Sequence, residues 1–421
     1  MKLLYLHPNA WTGEYPILGE LRRRGLQVCV LEERRGLAGG ARLRQDHFRE
    51  PGDAIDTLWY DPGRGAARLL AWPLDRVFRR AFDGRNLAHR MLVIREAVAL
   101  FRPDIVVCTD GFTYAIPAAF LRRLGRLHAP LVASYIGGDI LDCPEAEYGR
   151  RRTTMTDWMI RASLPGIDAL RPVCDSLARV LLRDGAAPER IHMFPIQMGT
   201  PLARLATLRA HKAGFAVAIR ARYGIPAGAP LVITLSGNQK GKGIHLLAAQ
   251  WARLCAEIRG CHWLLCGPED PWLTSTVRPL VETSGYAERV HFTGRLAGDS
   301  VYEHLAAADL HVNPTLCEGL NVATVDAAAM GTPSITSDGA GIADWVARHG
   351  FGEVVAAGDA QALGRAVCDA FADPARLARW SLAAPGVVGE FGLDTVAARL
   401  VEVFASVASS AGGAGPARAQ V

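Results

Sequence analysis

Two stretches of the chain gather residue types suited to holding a diphosphate ester. The apolar run Leu231 to Leu235 is followed by Ser-Gly-Asn-Gln-Lys-Gly-Lys-Gly, carrying Gly237, Lys240, Gly241 and Lys242. Ile244, Leu247, Ala248, Trp251 and Leu254 then recur at helical spacing. Strand, glycine loop and helix in that order make an anion site, because helix-terminal N–H groups, the positive end of the dipole and two ammonium groups converge there. The loop is not a Walker loop: only three residues separate Gly237 from Gly241, and a glycine follows Lys242. A solvated turn is the competing reading. The chain has four lysines against 43 arginines, and two of the four lie in this loop, which favours the anion site.

The second stretch runs Asn313-Pro-Thr-Leu-Cys-Glu318-Gly-Leu-Asn-Val-Ala-Thr-Val-Asp326-Ala-Ala-Ala-Met-Gly331-Thr-Pro333. Asn321 is placed as an N-cap, Val322 to Met330 as a helix, and Gly331 with Pro333 as its stop. Glu318 then sits in the loop and Asp326 in the helix, at most about 12 Å apart at 1.5 Å per residue. A diphosphate across that helix N-terminus would bring a sugar ring near one carboxylate and a ribose near the other, and carboxylates accept paired hydroxyls well. The alternative is a dipole-favoured acid and a solvated helix residue. Other glycine turns follow strands at Cys266-Gly267-Pro268-Glu269-Asp270, at Thr293-Gly294-Arg295 and at Thr336 to Ile342. No Asp-x-Asp pair occurs, so lysine and helix dipole, and no carboxylate-held metal, are expected to neutralise a leaving diphosphate.

These loops need strands and helices to aim them. Candidate strands are Leu3 to Leu6, Gln27 to Leu31, Asp104 to Cys108, Leu131 to Tyr135 and Ile191 to Phe194, with amphipathic segments between most of them. After a weakly patterned, partly basic stretch, the alternation restarts with Leu231 to Leu235, His262 to Cys266, Val290 to Thr293, Asp309 to Asn313 and Ser334 to Thr336. Such βαβ alternation predicts an α/β protein with two parallel sheets. The length of 421 residues agrees with more than one core.

With half the residues apolar and 21% charged, disordered and collagenous classes are excluded, and no apolar run is long enough to cross a bilayer. Nine cysteines without a C-x-x-C pair or zinc spacing read as reduced thiols in a cytoplasm. The net charge of +5 is uneven: residues 1 to 200 hold 29 basic and 23 acidic side chains, and the remainder 18 and 19. A solvated helix face is the plain reading of the basic half; peripheral contact with an anionic membrane surface, or a phosphorylated acceptor, is the alternative. No aromatic platform or recognised module accompanies the charge, which argues against nucleic acid.

The stretch from Glu318 to Pro333 resembles the family-4 retaining glycosyltransferases, whose pattern is two glutamates separated by seven residues in a context ending Ala-Met-Ala-x-Gly-Thr-Pro. The likeness extends to Val290-His-Phe-Thr-Gly-Arg295, to Ala306 to Asp309, to Asp338 to Ile342 and to Gly358-Asp359. It implies GT-B architecture: two facing Rossmann-like domains with parallel sheets and a cleft between them. Residues 1–195 would be the acceptor-side domain, 196–229 a linker region, 230–386 the donor domain, 387–408 a helix returning to the first domain and 409–421 a disordered tail.

By this resemblance Lys242 would hold the diphosphate, Glu318 the donor sugar and Asp326 the ribose, with Gly294, Arg295, Gly319, Leu320 and Asn321 lining the donor. Three positions depart from the family pattern. Gly237 stands where an arginine is usual, with Lys240 as its candidate replacement, Asp326 replaces a glutamate, and Ile136 aligns with a histidine ahead of Gly138 and Asp139. Asp139 is the catalytic candidate in the first half, and His7, Trp11, Gly13, Asp110 and Gly138 are acceptor-side candidates; structural capping is the competing role for Asp110 and Asp139. The implied reaction is transfer with retention from a UDP- or GDP-sugar to a small-molecule, lipid or glycan acceptor, with no cofactor beyond the donor. A nucleotide-sugar-binding protein without transfer activity, or another GT-B enzyme such as an epimerase or glycan synthase, is the alternative. The sequence names neither sugar, acceptor nor oligomeric state.

Overall fold

The computed structural model describes residues 1–7, 14–33, 44–50, 53–60, 75–76, 87–237 and 239–413. The chain divides into two compact units. Met1–Asp142, Gly149–Gly199 and Leu393–Val421 form the first, and Cys143–Tyr148 with Thr200–Gly392 the second. Each is built on its own sheet.

The first unit contains β1 (Lys2–His7), β2 (Gln27–Glu33), β3 (Arg44–Glu50), β4 (Asp53–Tyr60), β5 (Ile105–Cys108), β6 (Leu131–Tyr135) and, after the two short strands β7 (Asp142–Cys143) and β8 (Tyr148–Gly149), β9 (Ala169–Pro172). The sheet order is β3-β4-β2-β1-β5-β6-β9. Its pairs are parallel except that of β3 with β4. Tyr5, Val107, Val132 and Ala169 cover one face, and Ile17, Leu18 and Leu21 of the helix Tyr15–Arg23 pack on them. Val396, Ala397, Leu400 and Phe404, from the helix Leu393–Gly413, complete this core.

The second unit carries β10 (Leu231–Leu235), β11 (His262–Cys266), β12 (Val290–Gly294), β13 (Leu310–Asn313), β14 (Ser334–Ser337) and β15 (Gly352–Val355), in the order β12-β11-β10-β13-β14-β15. All five neighbouring pairs in this sheet are parallel. Trp251 and Trp263 are fully buried with ring centroids 5.5 Å apart, which locks the helix Ile244–Glu257 onto the sheet. The five apolar positions anticipated at helical spacing, Ile244, Leu247, Ala248, Trp251 and Leu254, all face this core.

Several expectations need correction. Ile191–Phe194 is not a strand: Ile191 makes only an isolated bridge to Leu170, and the sheet is finished by β9. The sequence Ala-Leu-Arg-Pro is short and contains a charge, so its burial comes from its neighbours and leaves no periodic signal. The strands β3, β4 and β15 were not anticipated; β3, Arg-Gln-Asp-His-Phe-Arg-Glu, has no apolar alternation. The region 196–229 holds two helices, Leu202–Ala210 and Lys212–Arg222, and from Thr200 onward it packs with the second unit. The last helix runs Leu393–Gly413 and not 387–408: the residues before it form a separate 3-10 segment, Ala384–Phe391, that groups with the second unit, and residues 414–421 lie outside the described set.

Topology fixes where ligands can approach. In the second sheet the connections on either side of β10 and β13 run in opposite directions, because β11 and β12 lie to one side and β14 and β15 to the other. Such a switch point opens a crevice at the carboxyl ends of its two central strands. In the first sheet the corresponding point falls between β1 and β5.

Candidate active site

At the switch point of the second unit, the loop after β10 ends in a tight turn, Lys240–Lys242, that feeds the helix Ile244–Glu257. Gly243 makes this junction possible: its φ is +66°, and a Cβ there would lie 1.9 Å from the Pro314 carbonyl oxygen. The loop after β13 is tied to the same turn, with the Leu316 amide (2.8 Å) and the Thr315 hydroxyl (2.9 Å) both donating to the Gly241 carbonyl. The two stretches that looked chemically suited in the sequence are therefore neighbours.

Their side chains meet as well. The Lys242 ammonium lies 2.5 Å from Glu318 Oε2, and the Asn321 side-chain amide donates to Glu318 Oε1. The Glu318 amide donates to the Gly339 carbonyl at 2.9 Å, which anchors the acid's backbone to the loop after β14. Asn321 has φ +73° and caps the helix Val322–Ala329, its Oδ1 accepting from the Thr324 amide at 2.9 Å. One side chain thus starts the helix and orients the carboxylate. Gly319, Leu320 and Asn321 are buried between Glu318 and the helix.

Asp326 projects from the first turns of that helix toward residues the sequence did not flag. Its Oδ1 accepts from the Tyr302 hydroxyl at 3.2 Å, and that hydroxyl lies 2.9 Å from Thr200 Oγ1. Desolvation raises the Asp326 pKa to about 7, opposed by the Tyr302 hydrogen bond. Lys240 stands 3.7 Å from Glu147, and Arg295 is exposed on the loop after Gly294, whose φ is +71°. Among the described residues a Cβ at Gly237 would meet no atom within 4 Å, so no described neighbour fills the place of the usual arginine. A separate cavity of about 790 Å³, lined in part by Lys212, Arg220, Pro230, Asp309 and Pro333, lies at the opposite, amino-terminal edge of this sheet.

In the first unit the acidic candidates organise loops. Asp139 accepts from the Gly111 and Gly137 amides, each at 2.8 Å, and from the Ile136 amide, so it ties the turn after β5 to the turn containing Gly138. Burial raises its pKa to about 6, and the charge of Asp110 adds to this against the three amide bonds. Asp110 accepts from the Phe112 amide at 2.8 Å and from the Thr113 amide. Gly111 is required, since a Cβ would fall 2.2 Å from the Tyr135 ring. His7 ends β1, 1% exposed, beside the Tyr15 ring. Trp11 and Gly13 lie outside the described residues. Near these loops a buried polar group escaped sequence reasoning: Arg171 donates to the Pro195 carbonyl at 2.6 Å, and its charge opposes the burial that raises Glu14.

The expectation of reduced thiols throughout is also corrected. Cys143 and Cys317 form a disulfide across 174 residues, while the other seven cysteines are buried thiols. Their distance in sequence hid the pairing.

Two family models match the chain in succession: "Glycosyl transferase 4-like domain" over residues 15–197 and "Glycosyl transferases group 1" over residues 229–373. The chain belongs to the family-4 glycosyltransferases. Among curated relatives, this glycosyltransferase is 27% identical to 2-deoxystreptamine N-acetyl-D-glucosaminyltransferase of Streptomyces fradiae, over 98% of its length and 99% of the relative's. It is 26% identical to D-inositol 3-phosphate glycosyltransferase of Xylanimonas cellulosilytica, over 90% and 91%. Among solved structures, sucrose-phosphate synthase from Thermosynechococcus elongatus superposes with a TM-score of 0.73 at 18% identity, covering 97% of this chain and 100% of that one. Anabaena HepE in complex with UDP-glucose does so at 0.67 and 17%, covering 96% and 100%. These likenesses give the glycosyltransferase its GT-B fold. No described helix is long and apolar enough to cross a membrane.

Proposed function

We propose that this glycosyltransferase moves an N-acetylhexosamine or hexose from a UDP-sugar to a small polyhydroxylated or aminated cyclitol, with retention at the anomeric carbon. The observation that carries this reading is the meeting of Lys242 and Glu318 at the switch point of the second sheet. A cation and an acid held 2.5 Å apart between two helix N-termini match a ligand that carries a diphosphate on one side and sugar hydroxyls on the other. The relative that the chain matches from end to end supports the N-acetylglucosaminyl group and the cyclitol acceptor, and the relative crystallised with UDP-glucose supports the nucleotide.

In the proposed sequence the donor diphosphate takes Lys242 from Glu318. The bond from C1 to the diphosphate oxygen breaks, and the bond from C1 to the acceptor oxygen forms on the same face. The acceptor's proton passes to the departing diphosphate oxygen. Lys242 and the helix N-termini at Ile244 and Val322 meet the charge that grows on the leaving group, and they act without a metal ion. Glu318 holds the sugar hydroxyls, and Asp326 the ribose.

UDP-N-acetylglucosamine and UDP-glucose incubated with 2-deoxystreptamine or inositol test the proposal, with UDP release measured and the new linkage read by NMR. An α-linked product and a loss of about a hundredfold or more in Lys242→Ala are expected. A β-linked product, or turnover unaffected by Lys242→Ala, overturns it.

A further inference from the structure

The segment Cys143–Tyr148 leaves the sequence neighbourhood of the first sheet and groups with the second unit, where it lies on the turn Lys240–Lys242. Its short turn Pro144–Ala146 rests against the turn Lys240–Lys242. The approach is so close that a Cβ on Gly241 would stand 2.9 Å from the Ala146 carbonyl oxygen. Glu147, held at φ +54° by its amide bond to the Pro144 carbonyl, sets its carboxylate 3.7 Å from Lys240. Such a backbone conformation is uncommon for glutamate, so surrounding contacts must impose it. At the segment's start, Cys143 is joined to Cys317, the residue immediately before Glu318.

We infer that Cys143–Tyr148 is a thiol-controlled strap over the donor loop: the disulfide holds Glu147 against Lys240, where it competes with the donor diphosphate, and reduction releases it. This rests on the donor-site reading above. The covalent step is thiol–disulfide exchange. The Cys143 thiolate attacks a low-molecular-weight disulfide and expels one thiol. The Cys317 thiolate then attacks the mixed disulfide and expels the second. The protein loses two electrons and two protons, and the small disulfide becomes two thiols. Dithiothreitol reverses the step. Cys143 is partly exposed and can be attacked, whereas the seven remaining cysteines are buried and stay as thiols.

The test uses the full chain equilibrated with oxidised glutathione or with dithiothreitol, UDP as probe, and calorimetry. The reduced protein is expected to bind UDP about two- to fivefold more tightly, the range in which an exposed carboxylate competes for an ammonium. Cys143→Ser should bind like the reduced protein under both conditions, and Glu147→Gln should recover most of the difference in the oxidised state. Peptide mapping should find the Cys143–Cys317 link after oxidation. Equal affinities in both states, redox dependence that persists in Cys143→Ser, or oxidation that joins other cysteines overturns the inference. Should UDP bind neither state, the donor reading fails, and hydrogen exchange then judges the strap. Faster exchange of 143–148 on reduction sustains it, and unchanged exchange rejects it.

Discussion

Replacing Glu318 by Gln should separate nucleotide binding from transfer, because the acid neutralises Lys242 until a diphosphate arrives. The pair is 2.5 Å apart, with side chains 11% and 25% exposed, so its attraction is screened less than at an open surface. A net worth of about 1 kcal/mol is appropriate, the upper end for exposed pairs. Glutamine retains a carbonyl oxygen for the Asn321 amide, so the cap on the helix Val322–Ala329 should survive and the fold with it. Free of its counter-ion, Lys242 should then bind UDP about fivefold more tightly, since about 1.4 kcal/mol corresponds to tenfold. Transfer should nevertheless fall by about a hundredfold, as the sugar loses an acceptor that strengthens in the transition state. Calorimetry with UDP and a turnover assay with UDP-sugar measure the two effects on one preparation. UDP binding that weakens or stays unchanged, or transfer that persists, refutes the exchange of Lys242 between acid and diphosphate.

Gly237→Arg restores the cation usual at this position in the family; no described neighbour fills that place, and the donor KM should fall by about tenfold, the lower end for a charge-assisted hydrogen bond. An unchanged KM would place the position away from the phosphates. Asp326, with its pKa raised by burial to about 7, holds a proton in the folded protein that the unfolded chain releases, so stability declines as pH rises from 3.8 toward about 7. Asp326→Asn should abolish that decline in scanning calorimetry and also erase the preference for ribose over deoxyribose donors; retention of either in the variant counts against the assignment. Gly243→Ala should lower Tm and activity together, since the left-handed backbone alone costs about 1–2 kcal/mol and the new methyl overlaps the Pro314 carbonyl. A variant as stable as the parent would refute the close approach of the two loops.

The second unit was legible where its signals are local. Glycines stand where φ must be positive, at Gly243, Gly294 and Gly331, and Asn321 caps the helix it precedes. The apolar spacing of Ile244, Leu247, Ala248, Trp251 and Leu254 records the face that meets the sheet. Those features fixed the strand–loop–helix units in place, and a parallel sheet then brings their loops to one edge. What lay beyond the sequence depends on contacts between distant segments. Which strand neighbours which decided that Lys242 and Glu318, separated by 76 residues, form a pair. Tyr302 bears no motif and becomes the partner of Asp326, with Thr200 beside its hydroxyl, only when two helices and the chain before them converge. Cys143 meets Cys317 because a six-residue excursion crosses from one unit's chain into the other's packing. Periodicity reports the burial of a segment's own face, whereas an ion pair, a disulfide or a strap requires the positions of two segments at once, and only the tertiary fold supplies both.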